Sequence, residues 1–222
     1  MVSNSMEGLI YRVQPYQENA RLLFVYTPKG KKTLLAQGSQ KMNQVSRVLS
    51  QFLTHIEFKD SEKSFVTLAE SKILNDFSLV KNDFHQTKSA ALILEIIDHL
   101  IVENYNHQQI YHEMMLALSA SNILESSISF ALKILKPLGY PLDLSGDGRK
   151  IKGINIEKGG LVYQGELDYL DLDVKDAITL LKLTLMPYTE LESLDQEILS
   201  KIKVFILKYY QFHLQTTLKN LQ

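Results

Sequence analysis

The sequence predicts an α+β protein of two domains, an N-terminal β-barrel followed by an all-α domain that carries a small β-hairpin. Short β-prone runs separated by turn residues fill the first 75 or so residues, and apolar residues then recur at helical spacing. A polar, Gly-rich interval near residues 143–168 interrupts the helical part. We therefore expect one domain at residues 1–78 and another at 79–222, with the hairpin inside the second.

The N-terminal domain is predicted to be an OB-fold, because five strands within about 80 residues suit a small barrel. The five runs are GLIYRVQPY, ARLLFVYTP, KKTLLAQGS, LTHIEFKD and TLAESKIL. The segment QKMNQVSRVLSQF, between the third and fourth runs, is either a short helix or a loop. TPKGKK is predicted to be a hairpin turn in which Gly30 supplies a positive φ.

The Gly-Lys pair at residues 30 and 31 is not a nucleotide phosphate loop. That motif needs Gly, four residues, and then Gly-Lys-Ser/Thr. Here Thr33 comes one place too late, and Val25 stands where the first Gly belongs. The sequence therefore predicts exposed ammonium groups on a turn and no nucleotide cofactor.

The second part is predicted to be helical around one hairpin. SAALILEIIDHLIVENY, IYHEMMLALSAS and ILESSISFALKILKPLGY carry apolar stripes, and the last of these stops at Pro137 and Gly139. Two β-like fragments then flank Lys158-Gly159-Gly160 as a turn. DVKDAITLLKLTLM and LDQEILSKIKVFILKYYQFHLQTTLKNL are predicted to complete the chain as helices.

Composition excludes several classes of function. The chain has no Cys, so disulfides and thiolate metal sites are excluded. No signal-peptide pattern opens the sequence and no apolar run reaches about 18 residues, so we expect a cytoplasmic protein. The net charge of −1 divides into +3 for residues 1–80 and −4 for the rest, which is compatible with a polyanion partner for the first domain.

Candidate metal and catalytic clusters have ordinary structural explanations. Glu95, His99 and Glu103 lie at helical spacing, which more often gives an exposed ion-pair ladder than a metal site. The acidic run near residue 171 lacks the Gly and final Glu of a calcium loop, so Asp171 or Asp173 is expected to cap the following helix, with Asp176 in its first turn. With no nucleophile and base pair evident, we expect no catalytic residues and no enzyme. A further hypothesis is a metal-dependent hydrolase that uses the acidic residues near Asp171.

Four stretches in order resemble the RecO family of bacterial DNA repair and recombination mediators, along essentially the whole chain. They are EGLIYRVQPYQENARLLFVYTPKGKKTLLAQG, AALILEIIDHLI, SFALKILKPLGYPLDL and YYQFHLQTTLKNL. The resemblance implies a protein that binds single- and double-stranded DNA and anneals complementary strands. It also implies that the protein, together with RecR, helps to load RecA onto strands coated by the single-strand DNA-binding protein. We expect the protein to be associated with the nucleoid and to be a monomer when alone.

The chain departs from this family at the hairpin. Many members bind zinc there through two Cys-x-x-Cys pairs, and the matching positions are Ser145, Gly148, Tyr163 and Glu166. We expect no zinc and no other cofactor. The hairpin is then expected to be held by packing. The side chains predicted to do this are Ile154, Ile156, Leu161 and Tyr163.

Basic residues of the first domain are the predicted DNA-binding site. They are Arg12, Lys29, Lys31, Lys32, Lys41 and Arg47. Lys and Arg neutralise phosphates, and nearby aromatic residues can stack on bases. The nearby aromatic residues are Tyr11, Tyr16, Phe24 and Tyr26. The family segment after the third strand is usually denser in basic residues, and here it keeps Lys41 and Arg47.

The last helix is predicted to have a solvated basic face. By resemblance, Lys203 and Lys208 are candidates for receiving the acidic C-terminal tail of the single-strand DNA-binding protein. The missing zinc ligands and the thinned basic segment keep an alternative open. In that alternative the chain is an OB-fold adaptor that binds nucleic acid or protein without annealing DNA.

Overall fold

The computed structural model describes residues 5–37, 51–61, 63, 65–68 and 70–222. They fall into two compact units, one within Met1–Thr87 and Ile97–His112, the other within Lys88–Ile96 and Glu113–Gln222. The predicted α+β character is confirmed, since a six-stranded sheet comes first and helices follow with a smaller sheet. The domain boundary at residue 78 stays a prediction. Within the described ranges, no helix is both long and apolar enough to cross a membrane.

The sheet of the first unit is a meander with strands added at both edges. Its strands are β1 (Ser5–Tyr16), β2 (Ala20–Thr27), β3 (Gly30–Gln37), β4 (Thr54–Lys59), β5 (Phe65–Thr67) and β6 (Ser71–Asn75). They lie in the order β5-β3-β2-β1-β4-β6, and all neighbours are antiparallel except β3 and β5. The segment around residues 38–50, predicted to be a helix or a loop, lies outside the described residues.

The fifth predicted strand is wrong as a single strand, because residues 65–75 form two. β5 pairs with β3, whereas β6 pairs with β4. Hydrogen bonds on either side mark the change of partner: Leu68 N donates to the Leu35 carbonyl at 2.9 Å, and Lys59 N donates to the Glu70 carbonyl at 3.4 Å. The strands β5 and β6 do not pair with each other, so the sheet has no closing hydrogen-bonded ladder among the described strands.

The turn and the core of this unit follow from the sequence pattern. Pro28 and Lys29 form a two-residue turn, and Gly30 has φ 115°, so the predicted hairpin is confirmed. The residues packed inside the sheet alternate with outward-facing ones. The core residues are Met6, Ile10, Leu23, Val25, Leu34, Ala36, Ile56 and Phe58.

Helices make up most of the remaining chain. They are α1 (Ser78–Lys81), α2 (Phe84–Leu100), α3 (His107–Leu118), α4 (Ile123–Lys133), α5 (Val174–Leu185) and α6 (Gln196–Leu214). Aspartate side chains accept hydrogen bonds from N–H groups of the first turn at Asp83, Asp173 and Asp195. The expected cap of α5 is therefore Asp173, and Asp176 lies in its first turn as predicted.

The predicted ion-pair ladder of Glu95, His99 and Glu103 is wrong. The helix α2 ends at Leu100, and the extended backbone of Ile101 takes Glu103 off the helix. Glu95 is buried, and its carboxylate accepts hydrogen bonds from the backbone N–H groups of Lys219 and Asn220 at 2.7 and 2.9 Å. A buried carboxylate requires such partners, which local helical spacing does not reveal.

The second unit contains the predicted hairpin, formed by β7 (Ile151–Asn155) and β8 (Gly160–Tyr163), and a third strand, β9 (Leu172–Asp173), that pairs with β7. Two glycines permit close backbone approach: a Cβ at Gly153 would lie 2.1 Å from the Leu172 carbonyl oxygen, and one at Gly160 would lie 2.6 Å from that of Asp143. The four side chains expected to pack the hairpin are all buried.

Candidate nucleic-acid interface

One row of residues crosses four strands of the first sheet on the face opposite its core. We call it the outer row, and define it as Arg12, Phe24, Thr33 and Phe65. The ladder pairs Arg12 with Phe24, Phe24 with Thr33, and Thr33 with Phe65. Paired residues project from the same side of a sheet. The side chain of Arg12 and the residue Phe65 are each 49% exposed, so the outer row is open to a ligand.

A β-bulge concentrates side chains around Phe24. The register of β1 against β2 shifts between Ile10 and Arg12, which interrupts the alternation of faces. Tyr11 and Arg12 consequently both meet Phe24: the guanidinium carbon lies 4.0 Å from the ring centre of Phe24, and the ring centres of Tyr11 and Phe24 are 6.3 Å apart. This cation–π contact holds the guanidinium beside the Phe24 ring.

The last turn of α2 supplies a counter-charge to this face. Arg12 Nη1 lies 3.2 Å from the Asp98 carboxylate, and Lys31 Nζ donates to the Asp98 backbone carbonyl at 2.8 Å. Burial lowers the pKa of Lys31, and the charge of Asp98 opposes that effect. A bound phosphate would therefore compete with Asp98 for Arg12, whereas Lys31 is held by a neutral carbonyl and keeps donors for a ligand.

The two remaining cations of the hairpin share one carboxylate. Lys29 Nζ lies 2.9 Å from Asp60, and Lys32 Nζ contacts both Asp60 and the Ser61 carbonyl. The side chain of Lys29 is 65% exposed, but that of Lys32 is 12% exposed. Burial alone would raise the pKa of Asp60, but hydrogen bonds from Lys32 and Lys29 outweigh it and lower that pKa. Lys29 is thus the accessible cation of this pair.

The four aromatic residues predicted to stack on bases differ in how exposed their side chains are. Tyr26 is fully buried, its hydroxyl hydrogen-bonds to His107 Nδ1 at 3.1 Å, and burial raises its pKa. Tyr11 is also buried, and desolvation raises its pKa to about 12. Phe24 is half-buried and Tyr16 is exposed, so these two remain accessible.

Sequence reasoning missed Phe65, the most exposed aromatic of the outer row. Its strand has three residues, too short for a periodicity to stand out. The alternation within Phe65-Val66-Thr67-Leu68 was nevertheless present in the sequence, and the structure packs Val66 and Leu68 against the core. Lys41 and Arg47, the other predicted DNA contacts, lie outside the described residues.

The two candidate partner-binding lysines lie in different surroundings on α6. Burial lowers the pKa of Lys203, and the neighbouring charge of Lys88 lowers it further. Lys208 is exposed and lines a groove with Tyr169, Leu207 and Phe212. The groove therefore combines apolar and cationic side chains with three acidic ones, Glu157, Asp168 and Asp171.

Three of the four positions that match zinc ligands in the family, Ser145, Tyr163 and Glu166, are linked by polar contacts in this chain. The Tyr163 hydroxyl donates to the Ser145 carbonyl at 3.0 Å, and Tyr163 N donates to Glu166 Oε2 at 3.0 Å. Glu166 also pairs with Arg149 and Lys158, at 3.0 and 2.6 Å, and Arg149 lies 4.0 Å from the ring centre of Tyr163. We call these contacts around Glu166 the polar clasp. Across the described ranges, no group of three or more His, Cys, Asp or Glu side chains is placed to hold a metal ion.

Comparison with known proteins supports the resemblance seen in the sequence. The chain is 32% identical to the DNA repair protein RecO of Clostridium perfringens over 148 residues, 61% of this chain and 58% of that protein. It is 22% identical to RecO of Oceanobacillus iheyensis over 170 residues, 72% of this chain and 66% of the relative. It is 26% identical to RecO of Clostridium acetobutylicum over 157 residues, 67% of this chain and 63% of the relative.

These matches are shorter than the nearly whole-length resemblance that the sequence suggested, and the chain spans less than two thirds of the length of the three relatives. No protein-family model matches the chain. Several curated RecO proteins nevertheless align with it independently. The resemblance to the RecO family is therefore confirmed: the chain is similar to several curated bacterial DNA repair proteins RecO.

Proposed function

We propose that this protein acts in DNA repair as a mediator without enzymatic activity. It binds single- and double-stranded DNA in the cytoplasm and anneals complementary strands. The observation that carries the proposal is the outer row, where exposed aromatic rings and Arg12 lie on one face of the sheet beside the lysines of the β2–β3 hairpin. The relatives are DNA repair proteins, which supports the same process.

The proposal includes an OB-type barrel for the first unit. Its support is the strand order together with the short connection between the two edge strands. Leu68 N is bonded to the Leu35 carbonyl on the β3 side, and the Glu70 carbonyl, two residues later, is bonded to Lys59 N on the β4 side. One interrupted last strand would then bring both edges together around the core.

The chemistry of the outer row suits single strands. Bases stack on exposed aromatic rings in a sequence-tolerant way, and Phe65 and Phe24 provide two rings on either side of Thr33 in the row. Arg12, Lys29 and Lys31 supply positive charge beside them for the phosphates. Annealing needs no bond chemistry, because cations that screen two phosphate backbones let complementary bases pair by themselves.

Partners complete the proposal. We include RecR, and loading of RecA onto strands coated by the single-strand DNA-binding protein. The acidic tail of that binding protein would lie in the groove beside Lys208, where Leu207 and Phe212 offer apolar contacts. These assignments follow the family resemblance.

The test is annealing of two complementary fluorescent oligonucleotides over a salt series, without ATP or metal. Strands are used bare and coated with single-strand DNA-binding protein. We expect acceleration in both cases, falling as salt rises. Absence of acceleration on bare and on coated strands at low salt would contradict the annealing function.

Binding of a labelled single strand then locates the site. Phe65→Ala should weaken binding about 5- to 100-fold, as the loss of one stacked base predicts. The control is Leu79→Ala, which removes a side chain 84% exposed outside the outer row. Because the freed Asp60 takes up a cation in its turn, Lys29→Ala should reduce the slope of log affinity against log salt by less than about 0.7. Lys72→Ala, at an exposed lysine on β6, should leave the slope unchanged. Equal effects of the test and control variants would remove the outer row from the DNA site.

The alternative is an adaptor that binds nucleic acid or protein without annealing. It is favoured by a specific observation: Asp98 and Asp60 already engage Arg12, Lys29 and Lys32. A face whose cations are balanced in this way binds phosphates less strongly. Salt-sensitive DNA binding without any acceleration of annealing would identify this alternative.

A further inference from the structure

Helix α5 carries a second apolar stripe on the side away from its core contacts. Val174, Ile178, Leu181 and Leu185 follow one another at spacings of four, three and four residues. Three of them are strongly exposed, Val174 by 40%, Ile178 by 52% and Leu185 by 70%, and Leu181 is partly exposed. We call these four residues the α5 stripe. Their spacing matches the d, a, d, a positions of a heptad.

Another side of the helix is already committed to the fold. Asp176, Ala177, Leu180 and Leu183 are buried. Ser129 Oγ donates to the Leu183 carbonyl at 2.6 Å. The α5 stripe is therefore surplus to what is needed to pack this helix, and within the part of the chain that the structure describes it remains uncovered.

Charge along one border of the stripe selects the kind of partner. Lys175 and Lys182 both occupy the heptad position e, directly beside the stripe, and both are exposed. Among the described residues neither forms an ion pair. In helix pairs, residues at positions e and g face charges on the partner and determine which partner and which orientation are accepted.

A second copy of this chain is poorly suited to this surface. In an antiparallel pair, position e faces position e of the other helix, so Lys175 and Lys182 would meet like charges. In a parallel pair, position e faces position g, which here is Ala177 or Thr184 and offers no counter-charge. A helix with Glu or Asp at its flanking positions would satisfy both lysines in either orientation.

We propose that the α5 stripe docks an amphipathic helix of a partner protein whose apolar seam is bordered by acidic residues. Three turns of α5 contribute the apolar contacts, and Lys175 and Lys182 set the charge preference. Such helix-in-groove contacts use anchors at the same i, i+4, i+7 spacing. The α5 stripe shares no residue with the outer row, and docking of a helix on it does not depend on DNA binding.

The test measures fluorescence anisotropy of two labelled synthetic peptides with the full chain. Both peptides have three heptads with Ile at position a and Leu at position d. The Glu peptide carries Glu at every e and g position, and the Lys peptide carries Lys at the same positions. Like charges keep each peptide from pairing with itself. The Glu peptide should bind at least about tenfold more tightly than the Lys peptide, with a preference that declines as salt rises.

Two double variants assign the contact to α5. Ile178→Ser with Leu185→Ser should weaken binding of the Glu peptide about tenfold or more, since helix-in-groove contacts depend on their apolar anchors. Lys175→Glu with Lys182→Glu should reverse the preference between the two peptides. Leu116→Ser on α3, a residue 45% exposed, is the control and should change neither affinity. Because all substituted side chains are exposed or half-exposed, thermal unfolding should be unaltered, and circular dichroism checks this.

Three results would overturn the proposal. Failure of both peptides to bind would mean that the α5 stripe is not a docking surface for a helix. Equal binding of both peptides would remove the charge preference. Dimerisation of the protein alone, seen by sedimentation and lost in the Ile178 and Leu185 double variant, would make a second copy the occupant.

Discussion

Lys32 is expected to stabilise the first unit. Its replacement should therefore lower the free energy of unfolding of that unit, and this loss of stability should be its main effect, ahead of any loss of a DNA contact. Its side chain is 12% exposed, and its ammonium contacts both the Asp60 carboxylate and the Ser61 carbonyl. Lys32→Met keeps most of the aliphatic stem and removes the charge. Asp60, itself 7% exposed, then keeps Lys29 and the Ser61 N–H as partners.

The size of the effect follows from the exposure of the two lysines. Hydrogen bonds that involve a charged group contribute about 1.5–3 kcal/mol each, and a half-removed pair leaves a desolvated carboxylate behind. We expect Lys32→Met to lower the free energy of unfolding by about 2–3 kcal/mol. Lys29→Ala removes a solvated partner and should cost less than about 1 kcal/mol.

Urea unfolding followed by circular dichroism measures both variants, and hydrogen exchange of peptides covering β3 locates the change. Acid provides an internal check. Because the pKa of Asp60 is lowered below its ordinary value of 3.8, its contribution is present above that value and lost as pH falls below it. The difference between wild type and Lys32→Met should therefore shrink in strong acid. Equal stability of Lys32→Met and Lys29→Ala at neutral pH would refute the reasoning and return Lys32 to the DNA-binding candidates.

Two further predictions concern the second unit. Its polar clasp should weaken in acid: hydrogen bonding from Lys158 lowers the pKa of Glu166 from 4.5 to about 2, so its stabilisation is lost between those values. Glu166→Gln should abolish that dependence, read as hydrogen exchange of the Tyr163 amide, and an unchanged acid response would contradict it. Tyr210→Phe should lower the free energy of unfolding in urea by about 1–3 kcal/mol, because the buried hydroxyl donates to the Ala131 carbonyl at 2.6 Å. A variant as stable as wild type would show that another donor satisfies that carbonyl.

Local chemistry explains what the sequence could predict. Gly30 marks a turn because a positive φ is costly for other residues, and Asp173 marks a helix start because its side chain accepts an N–H hydrogen bond. The hairpin at residues 151–163 was likewise readable from Lys158-Gly159-Gly160 between two apolar fragments. Each of these patterns is complete within a few residues.

Contacts between distant residues explain what it could not predict. Glu95 looks like one step of a surface ladder until Asn220, far along the chain, is found bonded to its carboxylate. Phe65 joins the candidate interface because its three-residue strand pairs with β3 across the chain. Asp98 could not be connected with Arg12 by any local pattern, and yet it changes what Arg12 offers to DNA.

Arg12 and Lys29 form ion pairs within the protein, and these pairs affect how steeply DNA binding should depend on salt concentration. Counterion release counts the phosphates that a protein newly neutralises. When Arg12 leaves Asp98 for a phosphate, cations are released from the DNA, but the freed Asp98 carboxylate attracts a cation from solution. The net number of released cations is therefore smaller. The same holds for Lys29 and Asp60. The salt slope of the described face should therefore be smaller than its number of basic residues suggests, and affinity should depend more heavily on stacking at Phe24 and Phe65.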